Sequence, residues 1–294
     1  MHRFLRSIGF DSDIRRSEEL ALFDRLALQS GGKELFDLDG ESLIDIRSVE
    51  VCPGSGASVV LTGIVTGGQY TVTGAHPCVQ PHTYNPGMEA VISKHYAGDH
   101  YMGECVNGRT GLSLIYYMPD LAYIRRSRIV CDTRYKKTIG FSACGVNAMV
   151  LYPIEKSDGI RSGMERLYRR RKKAGDSIEN GSDGAYENAA IEEFFQHDLA
   201  CEAVWSKDLY SVVDKTLAPR GVFCDEYRVL GYIEKIEKHT NGFTGNDFYI
   251  IDLNTNNDVK LTLAVAENDL RGVPSQGMRL RCDIWLTGLI REDK

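Results

Sequence analysis

Arg279-Leu280-Arg281-Cys282-Asp283-Ile284-Trp285-Leu286 alternates apolar and polar residues, apart from Trp285, over eight positions. Successive side chains of a strand point to opposite faces. Leu280, Cys282, Ile284 and Leu286 therefore make a core face, and Arg279, Arg281, Asp283 and Trp285 make the other. The run extends to Ile290, and shorter runs of the same texture precede it at Tyr227–Ile236, Asp247–Leu253 and Val259–Val265. A polar stretch, Glu267–Gln276, separates the third run from the last. Four or five strands in about 70 residues suit a small barrel of OB type, and a twisted antiparallel sheet fits the same pattern.

Further upstream the texture changes twice. Leu43–Val51, Val59–Val65, Tyr70–Thr73, Leu112–Met118 and Ala143–Leu151 read as strands. They follow a helix over residues 12–30, capped by Ser12 or Asp13 and stopped by Gly31-Gly32. Between the two β regions, residues 153–185 read as a linker with a basic run from Arg161 to Lys173. Helices are expected at 186–204 and 206–216, the second closed by Ala218-Pro219-Arg220-Gly221. The expected fold class is α+β: a mainly β N-terminal domain with an N-terminal helix, a helical connector, and a C-terminal small β-barrel (OB-like) or twisted antiparallel sheet. The boundaries are 1–155, 156–221 and 222–294, and the sequence shows no internal repeat.

Composition narrows the function classes. The chain has 294 residues, 43% hydrophobic and 26% charged, which is ordinary for a globular protein. Its formal net charge of −6 favours solubility and argues against a surface devoted wholly to nucleic acid. The opening residues lack the pattern of a secretory signal, and no apolar run is long enough to cross a membrane. Eight cysteines stand no closer than thirteen positions apart, which excludes Cys-x-x-Cys redox and zinc patterns. Reduced thiols, and so a cytoplasmic protein, are the expectation.

Five local features of the sequence bear on chemistry. Gly54-Ser55-Gly56 resembles a phosphate loop, but Val59–Val65 reads as a strand where a helix is needed, so a hairpin turn is expected. Gly140-Phe141-Ser142-Ala143-Cys144 approaches a nucleophile elbow but lacks its last glycine, and no partner can be assigned to Cys144. His76, Cys78, His82, His95, His100 and Cys105 offer imidazole and thiolate ligands. Pro77, Pro81 and Pro86 make that segment an irregular loop, so no metal and no cofactor are expected. Were a metal bound, His76, Cys78 and His82 would be the first candidates. The run Arg161–Lys173 could dock an acidic partner, though a solvated linker helix explains it as well. Finally, Arg279, Arg281 and Trp285, joined by Lys260 and Thr262, form a candidate binding face of charge beside an aromatic ring. The preferred reading is that Trp285 is buried against the first domain and the charges line the seam, since a tryptophan is large and usually buried. No carboxylate pair stands out for acid–base work.

Three stretches carry a family resemblance. They are His2 to Phe10; Asp208 to Asp214 with Pro219, Gly221, Cys224-Asp225, Tyr227, Val229 and Gly231; and Asn268-Asp269-Leu270 with Gly272, Pro274, Gly277, Arg279, Trp285 and Gly288. Together they resemble an uncharacterised family of clostridial gut bacteria over nearly the whole chain. The resemblance implies a bacterial protein of unknown function and transfers no functional residue. The expectation is a non-catalytic binding or scaffolding protein that uses the C-terminal β domain, with a protein or acidic partner. Nucleic-acid binding through the Trp285 face and the basic run is the alternative, and a hydrolase built on the 76–105 region ranks third.

Overall fold

The computed structural model describes residues 2–11, 16–30, 34–37, 43–94, 101–108, 110–119, 131–151, 215–221 and 223–291. The basic run at 161–173, the helices expected up to residue 214, and His95 and His100 lie outside them. Residues Met1–Leu151 and Lys215–Lys294 belong to one compact unit.

A short 3-10 helix, Arg3–Ile8, opens the described chain and ends at Gly9, whose φ of 90° suits a residue without a side chain. Helix α1 (Arg16–Gln29) follows. Strands β1 (Glu34–Asp37), β2 (Leu43–Glu50), β3 (Ala57–Thr66) and β4 (Gln69–Val79) then form an antiparallel sheet in chain order. The β2–β3 connection is the expected hairpin turn: Gly54 and Gly56 have positive φ, and Glu50 Oε1 accepts the Gly54 N–H at 2.9 Å. Pro77 does not break β4, because that strand lies at the sheet edge and pairs only with β3.

The remaining strands form one larger sheet. They are β5 (Asn85–Lys94), β6 (Tyr101–Asn107), β7 (Ser113–Met118), β8 (Cys131–Leu151), β9 (Thr216–Pro219), β10 (Glu226–Thr240), β11 (Asp247–Asn254), β12 (Lys260–Ala266), β13 (Leu270–Arg271) and β14 (Arg279–Arg291). Its centre is the long antiparallel pair β8–β14, which runs from Thr138↔Arg291 to Leu151↔Arg279 with one register shift between Arg281 and Asp283. On one half of this pair the meander β10–β11–β12 closes a ring: β10 runs antiparallel to β14, and β12 runs parallel to β8. On the other half the meander β5–β6–β7 closes a second ring, with β5 antiparallel to β8 and β7 parallel to β14. The two halves therefore repeat one connection pattern, although the residues carry no repeat.

These pairings correct the expected fold class. Among the described residues the protein is mainly β, with fourteen strands and one α-helix, and not α+β around a helical connector. Ala218 and Pro219, read as a helix stop, end strand β9. The C-terminal strands do not close into a small barrel of their own, since their ring needs β8 from the N-terminal half. The described part of the 76–105 segment is also mostly strand rather than irregular loop. Pro86 fits there because it occupies a register shift between Asn85 and Met88. No helix among the described residues is long and apolar enough to cross a membrane.

Alternation assigns the core. Leu280, Cys282, Ile284 and Leu286 of β14 face inward with Phe141, Ala143, Leu263 and Val229, all essentially inaccessible to solvent. The opposite face of the β8–β14 pair carries Cys144, Val146 and Trp285. It packs with Phe4, Leu5 and Ile8 of the opening helix and with Val59 and Leu61 of β3. Buried Asn241, after β10, ties that helix down. Its Nδ2 donates to Ile8 O at 2.7 Å, while its Oδ1 accepts the Phe243 N–H at 2.8 Å.

Candidate functional site

The fold forms two concavities on the outer face of β14, and Trp285 lies in the larger. This cleft, of about 520 Å³, has one wall from β2, β3 and β4, including Ile44, Ile46, Val60 and Ile64. The rest of the lining is Trp285, Tyr117, Met118, His2 and Asp225, which His76 of β4 joins. Period-2 alternation sends Trp285 to this side, and Cys144 is its cross-strand neighbour on β8. The ring is only 5% exposed. Its Nε1 donates to Asp225 Oδ2 at 2.7 Å, which fixes the indole orientation. His2, Tyr117 and His76 pack on it with ring centroids 4.5, 4.9 and 6.0 Å away. Burial pushes the Tyr117 phenol well above its ordinary range, so it stays neutral and can act as a hydrogen-bond donor. Gly74 also lines the cleft, and a Cβ built there meets no atom within 4 Å.

The second concavity, of about 410 Å³, is polar, and its lining includes Arg220, Arg228, Arg271, Arg281, Asn147 and Asp283. Asp283 is buried and accepts Arg228 Nε at 2.8 Å and Arg220 Nη1 at 3.0 Å. That hydrogen bond and charge raise the pKa of Arg228 further.

The structure separates the residues that the sequence grouped. Arg281 is exposed in the polar basin, while Arg279 is 4% exposed and lies opposite Tyr232 and Leu151. Lys260 is on β12, where its Nζ donates to Glu234 Oε2 at 2.9 Å. His76, Cys78 and His82 do not converge. His76 packs edge-on to Trp285, Cys78 is buried, and His82 Nδ1 lies 3.1 Å from Asp252. Asp252 also accepts Thr262 Oγ1 at 2.8 Å, so Thr262 belongs to this group and not to an exposed binding face. Among the described residues no group of three His, Cys, Asp or Glu is arranged to hold a metal ion. Cys144 is buried, and desolvation pushes its thiol up to about 12, which disarms it as a nucleophile. Ser142 is fully buried and hydrogen-bonded to Thr287 at 2.8 Å.

Sequence reasoning missed Asp225, Tyr117 and His2 in the cleft, and Arg220, Arg228 and Arg271 in the basin. His2 and Asp225 stood within the family resemblance, the one signal that pointed to any of them. The sequence profile of one family, described as a domain of unknown function from an E. rectale gene (DUF3881), matches residues 5–288. No curated protein and no solved structure matches the chain.

Proposed function

The chain belongs to the DUF3881 family, a domain of unknown function, over nearly its whole length, and we propose from its geometry that it is a binding protein for an apolar, aromatic small molecule. The observation that carries this reading is the cleft over Trp285. Small-molecule sites are typically concavities of about 300–1,000 Å³, mostly apolar, with a few polar groups that fix orientation. The cleft falls within that range. Isoleucines and a valine supply apolar lining, aromatic rings supply edges and faces, and Asp225 and Thr62 add polar atoms. Offset or edge-on contacts with such rings favour a planar ligand by about 0.5–1.5 kcal/mol each beyond area burial. The nucleic-acid reading is not favoured, because Trp285 is built into a wall and presents no open stacking platform.

The test is a fluorescence titration. With the chain's other tryptophan changed, Trp205→Phe, Trp285 is the sole indole reporter. The neutral probe N-phenyl-1-naphthylamine is expected to bind saturably, with energy transfer from Trp285. Gly74→Phe places a ring in open cleft space and is expected to abolish that signal while the melting temperature holds. Saturable binding that survives Gly74→Phe, or no binding to the parent protein, would refute the proposal.

A further inference from the structure

We propose that the arginine basin is a second site, for a compact phosphate-bearing small molecule. Four guanidinium groups come together there from separate parts of the sheet. Arg228 is on β10, Arg281 on β14 and Arg271 on β13, and Arg220 follows β9. The register explains the convergence. Arg228 lies directly opposite Asp283, while Arg271 and Arg281 flank Met149 of β8 on its two sides. At a strand spacing of about 4.8 Å, the Cα atoms of those two residues stand roughly 10 Å apart.

Donors exceed acceptors. Asp283 engages one nitrogen of Arg228 and one of Arg220, which orients both forks, and their remaining N–H groups have no ion-pair partner among the described residues. Asp269, the other carboxylate of the basin, is held by Arg6 at 2.7 Å. Arg271 and Arg281 are exposed and have no ion-pair partner among the described residues. The basin is thus net positive in a chain whose net charge is −6. Clustered guanidiniums repel one another, and an anion with several acceptor oxygens relieves this. Arginine forks match phosphate oxygens in pairs.

The backbone adds an independent observation. Asn147 adopts a φ of 54° at the register shift opposite Arg281 and Asp283, and its Nδ2 approaches Asp283 at 3.4 Å. A left-handed non-glycine residue costs energy, and bulges of this kind recur where a side chain is re-aimed beside a site. Here the bulge turns an amide into the basin. The volume suits a phosphate ester or diphosphate of nucleotide size rather than a polymer.

Calorimetric titration of the full chain with inorganic pyrophosphate at low ionic strength tests this. One saturable site per chain is expected, weakening as sodium chloride is added. Arg281→Gln and Arg271→Gln are each expected to weaken binding about tenfold, the size of one charge-assisted hydrogen bond. Both side chains are exposed, so the melting temperature should hold. Lys260→Gln, elsewhere on the surface, should leave binding unchanged. Gly74→Phe should do the same, which separates this site from the cleft over Trp285. The proposal is overturned by an absence of saturable pyrophosphate binding, by equal binding in both arginine variants, or by a single-stranded oligonucleotide that binds where pyrophosphate does not.

Discussion

Tyr116 fills the ring closed by β5, β6 and β7, and its environment leads to an unusual expectation. The ring lies against the backbones of Gly103 and Gly288, where an added Cβ would overlap it, and meets Phe141 edge-on at 5.5 Å. The residue is fully buried, its hydroxyl has no hydrogen-bond partner among the described residues, and burial pushes its pKa far up. A buried hydroxyl without a partner costs about 1–3 kcal/mol. Tyr116→Phe is therefore expected to stabilise the protein by about 1 kcal/mol, read as a higher urea midpoint; a lower midpoint would reveal a partner for that oxygen. The inward set Leu280, Cys282, Ile284 and Leu286 was legible in the sequence because alternation is local. The partnership of Gly103, Tyr116 and Gly288 was not. Nothing in a lone glycine names the side chain that will cover it.

At the scale of the element, β10 is read best through its charges. Lys235 holds Glu237, and Lys238 holds both Asp247 and Glu267 at 2.8 Å. Hydrogen bonds from these lysines lower the pKa of all three carboxyls. A carboxyl with a lower pKa in the folded state contributes stability above its unfolded pKa and loses it as pH falls through the folded value. Stability is therefore expected to fall between about pH 5 and about pH 3, and Lys238→Gln should make that fall shallower. Urea titrations at the two pH values check this, and an identical fall in the variant would rule the lysine out. The pairs are exposed, so the contribution is small. The strand itself was legible from Tyr227 to Ile236. Its continuation to Thr240 was not, because Glu237, Lys238 and His239 show no apolar alternation and are ordered by pairing with β11.

For the whole molecule, the β8–β14 pair leads to a prediction about fragments. Strand β14 pairs with β8 along its full length, and β12 pairs with it as well. A fragment 215–294 expressed alone would expose the inner faces of these strands, so it is expected to remain unfolded. Co-expression with 1–151 is expected to restore a soluble complex. Circular dichroism and gel filtration check this, and a cooperative melt for the isolated C-terminal fragment would restore 222–294 as an independent domain. By itself the sequence determined the helix within 12–30, the hairpin turn after β2, most of the strands and the inward face of β14. Each depends on a local period or on a backbone angle that glycine permits. Only the tertiary structure decided which strands are neighbours, that two meanders close on one shared pair, and that Trp285 and Arg281 serve different concavities. The reason is physical: alternation tells a side chain which face to take, while a strand's edge offers the same hydrogen bonds to any partner. The choice falls to the arrangement that buries both inner faces together.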